Sequence, residues 1–321
     1  MNTETKDTLT SFGRAVLEGL QKNPKELPTK YIYDEIGDAL FQQIMELPEY
    51  YLTRAEFEIF SFNKSDIAKQ MASRGAFRLV ELGAGDGVKS KIIIKELLEQ
   101  NVEFTYTPVD ISAHVLDAMT EDFGSEFPSL DMQPMAADYF EALENLKADC
   151  TPMVIMFLGS NLGNFERDGI VQLLDKVSGF MNGADGLFLG VDLMKDPKKV
   201  LAAYKDSQGV TAAFNKNLLV RMNKELGADF DPDEFYFYPN YDPVLGGVRS
   251  YLVSSRAQDV YFSELETRIS FGRGEAVFTE VSQKFSRQML ADLRDQSGFV
   301  YDAEWRDCTH GFVNLLWRKN E

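Results

Sequence analysis

Hydrophobic positions in the middle of the chain switch between two periods, and each switch marks the boundary of an element. Short apolar runs predict strands at Arg78–Leu82, Phe104–Asp110, Met132–Ala137, Met153–Leu158 and Gly186–Asp192. Between them, apolar residues three and four apart predict helices through Ile92, Ile93, Leu97 and Leu98, over His114–Glu121 and over Asp168–Met181. Strands alternating with helices of this length imply crossovers and a parallel sheet covered on both faces. The flanks read differently. Helices are expected at Leu9–Gln21, Asp38–Met45, Thr53–Phe60, Pro197–Tyr204 and Ala212–Leu226. Alternating polarity then predicts a small antiparallel sheet from Arg249–Ser255, Asp259–Phe262, Glu266–Phe271 and Val277–Phe285. A helix at Ser286–Gln296 and strands at Phe299–Trp305 and Gly311–Trp317 close the chain.

The first strand runs straight into Glu81-Leu82-Gly83-Ala84-Gly85-Asp86-Gly87-Val88-Lys89. A glycine turn between a strand and a helix places backbone N–H groups at the carboxyl edge of a sheet, where nucleotide-like ligands bind. A dinucleotide fingerprint needs glycine where this chain has Val88, which argues against a nicotinamide oxidoreductase. The E-x-G-x-G-x-G form resembles that of S-adenosylmethionine (SAM) methyltransferases. Asp110, at the end of the next strand, is the candidate ribose ligand. Asp138 is the candidate for the adenine amino group, with Tyr139 or Phe140 against the ring face. Gly83, Gly85 and Lys89 complete the expected cofactor set.

Charge narrows the partners. The 321 residues carry 33 basic against 51 acidic side chains, a net charge of −18, which disfavours nucleic acid and anionic membranes. A small zwitterionic or cationic substrate fits that balance. Two cysteines, Cys150 and Cys308, suggest reduced thiols, and Met1–Asp7 is polar with no signal core, so a cytoplasmic setting is expected; separately, the protein is expected to act as a monomer. His114 and His310 lie outside any ligand spacing, so no metal site is expected.

Several blocks resemble the histidine-specific SAM-dependent methyltransferases. They are Tyr31–Asp34, Leu47–Glu56, the glycine loop, Phe157–Asn164, Gly209–Asn215 and Thr279–Phe285. The resemblance implies a class I methyltransferase, Rossmann-like with a mainly parallel seven-stranded sheet, plus a second α+β substrate-binding domain. The core would be residues 62–196 plus 286–321, and the substrate-binding lid 8–61 plus 197–285. It further implies methylation of the α-amino group of L-histidine, up to the trimethylated betaine hercynine, as in ergothioneine biosynthesis. The neutral amine would displace the SAM methyl directly and release S-adenosylhomocysteine.

By the same resemblance, Asn164 meets the substrate's amino and carboxylate end, Tyr33 and Tyr204 complete the carboxylate grip, and Tyr50 lies near the amine. Asn164 and Tyr50 are the expected catalytic pair, orienting the nitrogen lone pair. Glu280 and Ser282 stand two apart on one predicted strand, so they project to one face. A carboxylate and a hydroxyl match the donor and acceptor nitrogens of a neutral imidazole. There is one departure. The family carries a Glu-Met pair where this chain has Arg249-Ser250, which keeps another aromatic amino acid or amine, such as a tryptophan derivative, as the alternative acceptor.

Overall fold

The computed structural model describes residues 10–147 and 151–320; Met1–Asp7 and Cys150, on which two expectations rest, lie outside them. Contacts divide the chain into two compact units, one of residues up to Tyr51 with Lys195–Ser282, the other of Leu52–Met194 with Gln283 onward.

The second unit is built on a sheet ordered β13-β14-β7-β6-β2-β3-β4, with β5 also on β3. Strands β2 (Phe77–Leu82), β3 (Phe104–Asp110), β6 (Met153–Phe157) and β7 (Gly186–Asp192) run parallel. β6 and β7 are buried along their whole length, so they read as unbroken apolar runs rather than alternating ones. The terminal hairpin, β13 (Phe299–Arg306) and β14 (Phe312–Lys319), joins antiparallel to β7. The chain leaves β2 for β3 on one side and returns to β6 on the other. That reversal opens a crevice beyond the carboxyl end of β2.

Two expectations change here. The strand expected at Met132–Ala137 is two fragments, β4 (Asp131–Met132) and β5 (Met135–Ala136), so the sheet counts eight strands rather than seven. Pro134 stands in the break, and proline has no N–H to give a ladder. The helix expected at Thr53–Phe60 spans Tyr51–Met71, and from Leu52 on it belongs with the sheet, not with the lid range 8–61. Its packing explains why: Phe60 packs at a tilt against Phe188, ring centroids 5.9 Å apart, and Asp66 accepts a 2.8 Å hydrogen bond from the Trp305 indole.

The first unit holds a four-stranded sheet ordered β1-β12-β9-β8 and a separate hairpin of β10 (Gln258–Phe262) and β11 (Thr267–Phe271). Two of its strands lie outside the sequence expectation. β1 (Lys25–Glu26) is only two residues long and pairs parallel with β12 (Ala276–Gln283). β8 (Phe235–Tyr241) carries Pro239 and sits at the edge beside β9 (Gly247–Ser254), where a missing N–H is tolerated. β12 is therefore an inner strand. Helices Ser11–Leu20, Glu35–Glu46, Pro197–Tyr204 and Val210–Leu226 complete the unit. Among the described residues no helix is long and apolar enough to cross a membrane.

Candidate active site

β2 ends at Leu82, and the next residue, Gly83, has φ +71°. A Cβ there would stand 2.8 Å from the Tyr139 hydroxyl, so glycine alone admits both the backbone turn and the phenol. At Gly85 a Cβ would meet nothing within 4 Å, leaving an open cradle over the loop. Asp110 closes one side of it. One carboxylate oxygen accepts from the Gly85 N–H at 3.3 Å, the other from the Ser112 N–H at 3.0 Å.

Asp138 has a structural duty as well. Its Oδ1 accepts from the N–H groups of Phe140 and Glu141, at 2.9 and 3.1 Å, and so caps the helix Tyr139–Lys147. Tyr139 packs edge-on against Phe157 at 5.4 Å. Burial, with the Asp110 charge adding, pushes its phenol up to about 12, so it stays a neutral donor. Phe140 packs against the core beneath the Lys176 ammonium, 4.5 Å from its ring. Tyr139, not Phe140, faces the glycine loop.

Lys89 pairs with the fully buried Glu56 of the helix Tyr51–Met71. The same Glu56 oxygen accepts from the Gly159 N–H at 2.9 Å, and the other accepts from the Asn314 amide at 3.0 Å. Behind the loop, Glu81 is buried and accepts from the hydroxyls of Ser90 and Tyr106 at 2.7 and 2.5 Å. Desolvation raises its carboxyl to about 7 despite those bonds.

After β6 the backbone turns through Gly159 and Ser160 into a tight turn over Asn161–Asn164. Ser160 holds φ +61°, a costly conformation for a side-chain-bearing residue. It is held there by its N–H to Gly190 O at 3.0 Å and its hydroxyl accepting from the Asp192 N–H at 3.2 Å. Gly163 lies flush on Gln283, whose carbonyl oxygen would be 2.7 Å from a Cβ. Asn164 is half-buried at the end of this turn, and its side-chain amide makes no hydrogen bond among the described residues.

The other unit gathers the remaining expected residues. Tyr33 packs edge-on to Phe41 and Phe214, Phe41 to Tyr50, and Tyr50 to Tyr204, with centroids 5.3–6.4 Å apart. Glu49, beside Tyr50, accepts from the Ser207 hydroxyl at 2.8 Å, which ties the Tyr50 loop to the turn after Tyr204 and lowers the Glu49 carboxyl. The Tyr204 hydroxyl lies 2.7 Å from that of Ser282. Glu280 and Ser282 are both buried on β12, while Thr279 on the opposite face bonds Asn215 at 2.7 Å. At the departure from the family pattern, Arg249 lies over the Phe278 ring at 5.7 Å and Ser250 is buried, its carbonyl accepting from Thr279.

Two residues escape the sequence reading. Asn161 brings its amide within 3.4 Å of the Gly83 Cβ position. Glu56 sits among Leu52, Ala55, Ile59 and Phe60, all buried. A carboxylate on an otherwise apolar helical stripe is the signal that marks it. His114 and His310 are exposed, as is Cys308, a free thiol. Among the described residues no group of three or more His, Cys, Asp or Glu could hold a metal ion.

A family model described as "Histidine-specific methyltransferase, SAM-dependent" matches residues 12–319. A histidine N-alpha-methyltransferase of Mycobacterium tuberculosis is 36% identical over 294 residues, covering 92% of this chain and 90% of that protein. One from Mycolicibacterium smegmatis is 34% identical with the same coverage. An L-tryptophan methyltransferase of Psilocybe serbica is 26% identical over 95% of this chain and 92% of its own.

Proposed function

Since the chain belongs to the histidine-specific, SAM-dependent methyltransferase family, we propose that it methylates the α-amino nitrogen of L-histidine. The observation that carries the acceptor is the burial of Glu280 and Ser282 side by side on an inner strand. A carboxylate and a hydroxyl on one strand face match the N–H donor and the acceptor nitrogen of a neutral imidazole. An indole has an N–H but no ring acceptor, so it would serve one of the two. The higher identity to the two histidine methyltransferases supports the same choice.

The open cradle at Gly85, edged by Asp110, suits the methyl donor. Gly83, Gly85, Lys89, Asp110, Asp138 and Tyr139 are the residues that would hold it. Bound there, SAM supplies an electrophilic sulfonium methyl that an amine displaces in line. Asp110 accepts from the ribose hydroxyls, and the Asp138 oxygen not used in capping accepts from the adenine amino group. Tyr33, Tyr204 and Asn164 take the amino acid carboxylate, and Asn164 and Tyr50 orient the amine. No nucleophilic side chain is needed, because positioning a neutral amine supplies most of the rate, up to roughly 7–11 kcal/mol. The proposal is of a cytoplasmic monomer acting on a free amino acid.

The test is methyl transfer from labelled SAM to each of the twenty amino acids, with mass spectrometry of the products. Methylated histidine carrying one to three methyl groups is the expected result. Turnover of tryptophan in preference to histidine, or no product, would overturn the reading.

A further inference from the structure

Glu56 has no part in the acceptor chemistry, yet it is wholly buried and collects donors from three separate segments. One oxygen takes both the Lys89 ammonium and the Gly159 N–H, and the other takes the Asn314 amide. Its Oε1 lies over Gly190, so close that a Cβ there would be only 1.8 Å away. Three hydrogen bonds and a glycine that makes room leave this carboxylate one position. Its partner is held less tightly: the Lys89 side chain keeps 21% of its surface exposed against none for Glu56. An ammonium has three N–H donors, so Lys89 retains donors for a second anion on its open side.

Sheet order says where that side lies. Asp110 ends β3, and Gly159, which follows β6, would carry its Cβ 3.5 Å from Lys89 Nζ. β3 and β6 flank β2, whose glycine loop lies between them. A ligand that meets Asp110 with a ribose and crosses the loop therefore meets Lys89 with its other end. We infer that Glu56 is a positioning residue, fixing Lys89 as the anchor for the α-carboxylate of the methyl donor's amino acid tail. This rests on the cofactor site proposed above. A lysine on a flexible four-carbon stem otherwise spreads its charge over many rotamers. Glu56 removes that freedom and balances the charge, leaving a neutral pair to receive a zwitterionic tail.

The assignment separates two ligands that share the adenosine but not the tail. Calorimetry with S-adenosylhomocysteine and with 5′-methylthioadenosine, on wild type, Glu56→Gln and Lys89→Met, tests it. Glu56→Gln should weaken S-adenosylhomocysteine about tenfold or more, the scale of a lost charge-assisted hydrogen bond, and leave methylthioadenosine within about twofold. Lys89→Met should show the same selectivity, and the double variant should lose little beyond either single one. If Glu56→Gln does not melt cooperatively, Glu56→Asp, which keeps the charge but withdraws it by one methylene, should give a smaller loss of the same selectivity. Equal weakening of both ligands, or of neither, would overturn the role of Glu56 while leaving the cofactor site standing. Wild type that binds neither ligand would remove the cofactor reading, and this inference with it.

Discussion

The hydroxyls of Tyr204 and Ser282 lie 2.7 Å apart, and both side chains are buried. A hydroxyl has one proton to give, so the direction of this bond decides what Ser282 can do. If Ser282 donates, the Tyr204 proton is directed to the amino acid carboxylate; if Tyr204 donates, the Ser282 proton is directed to the imidazole. Either way the two hydroxyls act on the substrate as a coupled pair.

Tyr204→Phe should therefore raise KM for histidine roughly ten- to a hundredfold, since a buried hydroxyl left without its partner costs about 1–3 kcal/mol. Affinity for S-adenosylhomocysteine should not move. Steady-state kinetics beside calorimetry separates the two, and an unchanged KM would disprove the coupling.

Glu280→Gln keeps the shape of the carboxylate and replaces its charge with an amide. Histidine should lose more than tenfold in kcat/KM, because a hydrogen bond to a charged acceptor is worth about 1.5–3 kcal/mol. Competition against tryptophan should narrow in the same variant. A variant that turns histidine over like wild type would exclude Glu280 from the ring site.

On the cofactor side, Asp110→Ala removes the acceptor for the Gly85 N–H and, by proposal, for a ribose. S-adenosylhomocysteine should bind roughly ten- to a hundredfold more weakly. Undiminished affinity in the calorimeter would move the ribose elsewhere.

Glu81 makes stability depend on pH. Burial raises its folded-state carboxyl from 4.5 to about 7. Between those values the folded protein holds more protons than the unfolded chain, so stability falls as pH rises. The contribution is complete below about 4.5 and gone above about 7, a change of ~3 kcal/mol. Glu81→Gln removes the titrating group. Urea unfolding at several pH values should show wild type losing that much relative to the variant across the window, and parallel curves would contradict it.

Much of the fold was legible because local rules agreed with it. β3 and β7 occupy the residues their apolar runs marked, and the helix Pro197–Tyr204 does likewise. The edge strand was not, because Pro134 interrupts a run whose hydrophobicity alone reads as continuous. The helix Tyr51–Met71 was cut short in the reading because its second half mixes polar and apolar positions. Packing on Phe188 and Trp305 extends it.

For the site, the chain alone determined the glycine loop, the acid at the end of each following strand segment and the i, i+2 pairing of Glu280 with Ser282. Each follows from dihedral restriction or side-chain alternation, which act over a few residues. Only the tertiary structure decided that Glu280 and Ser282 are buried, because that depends on β1 and β9 flanking β12. It also decided that Tyr33, Tyr50 and Tyr204 share one aromatic cluster, and that Glu56 reaches Lys89 from 33 residues away. Burial and long-range charge pairing are set by which segments pack together, and no local pattern encodes that.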